Sequence, residues 1–134
     1  MSRRLAAVAV VVRDYDEAIA YYCGVLGFKL VEDTALGGGK RWVLVAPSEQ
    51  VGSGLLLAQA NGAQQTARIG DQTGGRVFLF LHTDDFAGDH ARYVAGGVHF
   101  IEEPRHEPYG TVAVFEDRYG NRWDLVEPVT QNRS

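Results

Sequence analysis

The sequence predicts an α+β fold of two tandem βαβββ modules. Each module would form a curved, mostly antiparallel sheet with its helix on the convex face. Three observations lead there. The second half repeats the first: Val8-Ala9-Val10-Val11-Val12, Asp14 and Gly27-Phe28-Lys29-Leu30-Val31-Glu32 return as Val77-Phe78-Leu79-Phe80-Leu81, Asp84-Asp85 and Gly97-Val98-His99-Phe100-Ile101-Glu102, offset by 70 or 71 residues. Two copies are too few for a solenoid, which needs about three stacked units. In each copy a helix-like segment follows the first strand and three short strands follow the helix, a pattern of antiparallel hairpins. At 134 residues the chain is sized for one domain spanning 1–134, with module one at about 4–60, a linker at about 61–74 and module two at about 75–128.

The elements follow in order. Residues 5–12 are β-branched and read as a strand. Asp14, with Glu17 three residues on, resembles a capping box. Ala18, Ile19, Tyr22 and Leu26 recur at helical spacing, and Gly27 suits the left-handed stop after a helix. Strands are expected at 28–32, 41–46 and 55–59, with turns at 36–40 and 47–54. Residues 60–75 are polar and Gln- and Gly-rich, a linker with a short helical turn around 63–69. Residues 76–82 open the second copy. Asp84 or Asp85 caps a helix to about Ala95, and Gly96-Gly97 ends it. Strands are expected at 98–102, 109–115 and 122–127, with a loop at 103–108 and a tight turn at Asp117-Arg118-Tyr119-Gly120-Asn121. Side chains alternate along a strand, so Val8, Val10 and Val12 share one face and Ala7, Ala9 and Val11 the other.

Composition narrows the function. A net charge of -4 and the lack of a basic stripe argue against nucleic acid as a partner. The one cysteine, Cys23, cannot form an internal disulfide and fits a reducing cytoplasm. Arg3-Arg4 before an apolar run imitates a secretory signal, but no cleavage site follows and Arg13-Asp14 interrupts it. No apolar run is long enough to span a membrane. Asn132-Arg133-Ser134 matches a glycosylation acceptor but reads as a frayed tail. Gly37-Gly38-Gly39-Lys40 lacks the Ser or Thr of a phosphate loop and reads as a hairpin turn.

Two segments carry a family resemblance. Val-Val-Arg-Asp-x-Asp-x-Ala-x-x-Tyr-Tyr runs into Leu-Gly-Phe between Val11 and Phe28, and Phe-x-Asp-x-Tyr-Gly-Asn-Arg-Trp-Asp-Leu-Val spans Phe115 to Val126. Together they resemble the vicinal oxygen chelate superfamily of glyoxalase I, bleomycin-resistance proteins and extradiol dioxygenases. In its metal-dependent members, His, Glu or Gln side chains on the first and last strand of each module hold a divalent ion. Carried over, those positions fall at Ala7, near Leu57, at Phe78 or Val77, and at Asp124. Only Asp124 can bind a metal, whereas a catalytic site needs about three protein ligands. The resemblance therefore implies a member lacking most metal ligands, with no metal and no cofactor.

The same positions predict the pocket. By alternation Ala7, Ala9, Leu55, Leu57, Phe78, Phe80, Arg122 and Asp124 would line the concave face, an apolar site with a few polar anchors. His82 shares a face with Phe78 and Phe80. Asp124 could be a pocket carboxylate, or could pair with Arg122 or another nearby arginine as a structural ion pair. Trp42 and Tyr109 could stack on a planar ligand or pack in a core or dimer contact. Arg105 could hold a carboxylate from a loop beside the pocket mouth, or be solvated there. The candidate ligand-binding residues are thus Leu57, Phe78, Phe80, His82, Arg122, Asp124, Tyr109 and Arg105; no catalytic residue is singled out. His82, His90, His99 and His106 show no metal-ligand spacing.

The expected function is that of a metal-independent protein of the glyoxalase and bleomycin-resistance type, binding an apolar or aromatic small molecule. The similar proteins imply a homodimer, and a cytoplasmic location is expected. The alternative is a metal-dependent lyase, isomerase or dioxygenase of the same superfamily with a rearranged site. A third reading is an interaction module whose pocket is filled by its own aromatic side chains.

Overall fold

A computed structural model describes residues 2–49 and 52–130. The chain divides into two compact units between Gln72 and Thr73. Each is built on one sheet of mixed strand direction with a helix against one face.

In the first unit β1 (Ala7–Val12) leads to α1 (Tyr15–Ile19), which widens into a π-helical turn at Ala20–Val25. β2 (Lys29–Gly37), β3 (Lys40–Ala46), β4 (Gly54–Gln59) and the short α2 (Gly62–Thr66) follow. The strands lie in the order β1-β4-β3-β2, with β1 and β4 parallel and the other pairs antiparallel. Asp14 caps α1 by accepting from the Glu17 N–H at 2.9 Å. Gly27 leaves the helix at φ +76°, a conformation L side chains rarely adopt.

The core of this unit is the helix side of the sheet. Val10, Val12, Val43, Val45, Leu55 and Leu57 are buried there with Ala18, Tyr22, Leu26 and Phe28. Their side chains alternate with those of Ala9, Trp42, Leu44, Leu56 and Ala58, which face the other way. The register pairs Val10 with Leu57 and Ala9 with Leu56. This overturns the expected placement of Leu55 and Leu57 beside Ala7 and Ala9. A one-residue difference in register exchanges the faces of a whole strand, and burial against α1 selects the opposite one. β2 also outruns its expected length, reaching Gly37, and no residue along it is buried.

The second unit contains β5 (Val77–His82), α3 (Phe86–Ala95), β6 (His99–Phe100), β7 (Arg105–Glu107), β8 (Gly110–Glu116) and β9 (Arg122–Pro128). The order is β5-β9-β8-β6, with β7 paired to β8 and with β5 and β9 parallel. Asp85 rather than Asp84 caps α3, accepting from the Gly88 N–H at 3.0 Å. The expected loop at 103–108 contains β7, and the strand expected at 98–102 shrinks to two residues. Glu102 explains the change: its carboxylate accepts from the Val114 N–H at 3.1 Å where a strand would have used backbone.

The helix side of this sheet is aromatic. Trp123 stacks on Phe115 at 5.7 Å and 16°, and Tyr93 of α3 meets Phe115 edge-on. The Asp-x-Tyr-Gly-Asn turn is a buried hydrogen-bond hub. Asp117 accepts from the Tyr119 and Asn121 backbone N–H groups, from Asn121 Nδ2 and from Trp123 Nε1, all within 3.1 Å. The Asn132-Arg133-Ser134 acceptor lies outside the described residues.

Candidate functional site

In the first unit, pairing between β3 and β4 ends at Leu44 and Leu56. Beyond that point, toward Lys40 and Gln59, a hollow of about 630 Å³ opens. β4 contributes Leu56 and Ala58, the β2–β3 hairpin contributes Leu36 and Trp42, and Gln59, Asn61 and Gln65 close the α2 end. Trp42 is 40% exposed and Leu36 53% exposed, so both have apolar surface to offer a ligand. Leu57 borders this hollow, but it is wholly buried and its side chain belongs to the core.

A charged frame holds the hairpin end of the hollow. Arg41 bonds Asp33 at 2.6 and 3.1 Å and Asp16 at 2.9 Å, and its guanidinium lies 5.1 Å from the Tyr15 ring centre. The Arg41 hydrogen bond holds the Asp33 carboxyl below the usual carboxylate range. Tyr15 adds a structural bond, its hydroxyl accepting from the Arg41 N–H at 3.2 Å.

In the second unit Phe80, His82, Arg122 and Asp124 share the face opposite α3. Phe80 pairs with Asp124, His82 with Val126 and Val77 with Arg122. Phe80 is 65% exposed. Phe78 departs from the expected alternation: the register shifts between Val77 and Leu79, which places Phe78 in a bulge. Arg122 donates to the Gly75 carbonyl at 3.2 Å, and no Arg122–Asp124 ion pair forms. Asp124 Oδ1 is buried without a hydrogen-bond partner. Burial raises the Asp124 pKa, Arg105 opposes the shift and Glu102 adds to it. Arg105 is already engaged, bonding Glu102 at 3.0 Å and Glu107 at 2.9 Å, while Tyr109 is exposed. It is a tie within its own loop, with its charge matched before any ligand carboxylate arrives.

The remaining histidines have local partners. His90 lies between Phe86 and Phe100 at 5.6 and 4.4 Å, His99 is 3.7 Å from Glu116, and His106 is 3.3 Å from the Thr111 hydroxyl. Among the described residues no three His, Cys, Asp or Glu side chains gather where a metal ion could be held. Among the described residues these four donor types thus offer no cluster that fits the divalent metal of the chelating members. Burial pushes the Cys23 thiol pKa up, with Lys29 opposing, which disfavours the reactive thiolate.

Leu36, Leu56, Gln59 and Gln65 were not among the expected site residues. Leu56 is recoverable from the sequence by sliding β4 one residue. The glutamines carry no such signal: they sit at the end of β4 and in the expected linker, and the hollow they border is closed from the β2–β3 hairpin.

The chain is similar to known proteins along nearly its whole length. It is 51% identical over 128 residues to an uncharacterized protein of Shewanella frigidimarina, covering 95% of each chain. The crystal structure of UcmS2 superposes with a TM-score of 0.82 at 32% identity, covering 95% of this chain and 99% of that one. TnmS3, an antibiotic binding protein from Streptomyces sp. CB03234, gives a TM-score of 0.76 at 29% identity, covering 96% and 98%. The profile of the Glyoxalase/Bleomycin resistance protein/Dioxygenase superfamily matches residues 4–125. With its two sheets of mixed strand direction and the two motifs that end in Phe28 and Val126, the chain belongs to that superfamily.

Proposed function

We propose that this chain is a metal-independent small-molecule-binding protein, its two units acting as one glyoxalase-like domain and its ligand apolar or aromatic. The observation that carries this reading is the 630 Å³ hollow with Trp42 and Leu36 exposed on it. Its size falls in the range of ordinary ligand pockets, and apolar groups with a few placed polar ones are what such pockets use. The likeness to TnmS3 supports binding rather than turnover. Phe80, His82, Arg122 and Asp124 are proposed as ligand-facing groups of the second unit, with Tyr109 and Arg105 beside them.

The protein acts as a cytoplasmic homodimer in this reading. β2 supports the dimer: it is an edge strand with Leu30 47% and Val31 55% exposed, the kind of surface proteins cover. Among the described residues no helix is long and apolar enough to cross a membrane.

The test is a thermal-shift screen of polycyclic aromatic antibiotics beside elemental analysis of the dialysed protein. A ligand at about 100 times its Kd adds about 2.7 kcal/mol of stability and raises the Tm. Stoichiometric Zn, Ni, Mn or Fe retained through dialysis would overturn metal independence. A panel that leaves the Tm unmoved would overturn the binding reading in favour of an interaction module.

A further inference from the structure

The β2–β3 hairpin outruns the sheet it belongs to. β3 pairs with β4 only at Leu44↔Leu56 and Val45↔Leu55. Past that point β2 and β3 still pair with each other, through Asp33↔Val43, Thr34↔Trp42, Ala35↔Arg41 and Gly37↔Lys40. Residues 33–42 are therefore a two-stranded arm with no third strand beside β3. The arm begins at a bulge. Leu30 lies opposite Val45 and Glu32 opposite Leu44, so the extra residue, Val31, stands beside the last β3 residue that pairs with β4. A bulge bends its strand and disrupts the ladder locally. Val43 is wholly buried and marks the fixed end of the arm.

Among the described residues, Arg41 makes the polar contacts that tie this arm to α1. Nε and one Nη hold Asp33 inside the arm at 3.1 and 2.6 Å, a two-point grip that sets the plane of the guanidinium. The other Nη donates to Asp16 of α1 at 2.9 Å, and the Arg41 backbone N–H donates to the Tyr15 hydroxyl at 3.2 Å. Asp16 is exposed, and exposed ion pairs hold weakly. Trp42, the next residue, points to the opposite face of the strand and borders the hollow with Leu36. A tie on one face thus sets where the apolar wall on the other face stands.

From the end of the pairing, the bulge and this tie, we propose that the distal β2–β3 hairpin is a movable wall of the hollow and that Arg41 is the positioning residue that latches it shut. Opening pivots at Val31. It breaks the contacts of Arg41 with Asp16 and Tyr15, keeps the grip on Asp33, and carries Trp42 and Leu36 away from Leu56 and Ala58. Closing restores them. The motion concerns access to the hollow and is measured without a ligand, so failure of the antibiotic panel would leave it standing.

The test is ¹⁵N relaxation dispersion, which reads motion on the μs–ms scale. In the wild-type protein the amides of residues 33–42 should exchange between two states while those of Leu55 to Ala58 in β4 stay quiet. Asp16→Asn should raise the open population about two- to fivefold, the range for losing an exposed ion pair. Raising NaCl from about 0.05 M to about 0.5 M should shift the wild type the same way and leave Asp16→Asn nearly unmoved, because the pair being screened is already gone. A merely structural role for Asp16 would not produce that difference. Arg41→Lys keeps the charge but loses the fork, and should fall between the wild type and Arg41→Gln. Fluorescence gives a second reading: Trp123 is buried, so acrylamide quenching reports Trp42 and should rise with the open population. Absence of exchange from residues 33–42 in both the wild type and Asp16→Asn, exchange that extends equally into β4, or a salt response that survives in Asp16→Asn would each overturn the inference.

Discussion

Asp117 shows how much one side chain can organise. Its carboxylate is 5% exposed and accepts four hydrogen bonds, one from the indole of Trp123. Removing the acceptor strands several donors, each costing about 1–3 kcal/mol when buried. Asp117→Ala should therefore lose about 3 kcal/mol or more in urea unfolding, and an unchanged midpoint would contradict the hub. Asp124 is the opposite case, a carboxylate with a buried oxygen and no bond to that oxygen. Its raised pKa means the folded state favours the protonated form. The associated stability is full below the unfolded value of 3.8 and is lost as pH rises through the folded value. Asp124→Asn should gain Tm relative to the parent between about pH 3.5 and pH 7. Melting curves at both pH values check this, and a constant difference would mean that Asp124 is not desolvated.

Elements are held at their edges as much as by their cores. The free edge of β1 is closed by one side chain: Gln72 Oε1 accepts from the Val11 N–H at 2.6 Å and Gln72 Nε2 donates to the Ala9 carbonyl at 3.1 Å. This amide stands in for a neighbouring strand. Gln72→Ala should leave the fold intact while the Val11 amide exchanges with solvent about tenfold faster, as hydrogen exchange would measure. At α1, Asp14→Ala removes the cap and should cost about 1 kcal/mol by denaturant titration. The helix signals were legible in the sequence because capping and termination are local. The length of β2 and the β7 strand were not, because pairing across a hairpin and the carboxylate of Glu102 decide them.

At the scale of the whole molecule, the exposed β2 and the proposed dimer belong together. Sedimentation should give twice the mass of one chain, and charging the apolar edge with Val31→Lys should shift the equilibrium toward one. A wild-type protein that sediments as a monomer would remove this part of the reading. The superfamily was legible from motifs that turn out to be structural: Asp14 is a helix cap and Asp117 a turn hub. Such motifs report a backbone path, and they leave the chemistry open.

The sequence by itself determined the repeat and the helices with their caps and stops. These depend on residue identity and on spacings shorter than one element. Tertiary structure alone decided which leucines of β4 face the helix, that Gln72 closes the edge of β1, and that Arg41 meets Asp16. A strand's period of two makes its faces interchangeable by a single step of register. The step is chosen by what packs against the strand, and that choice is made by residues distant in the chain.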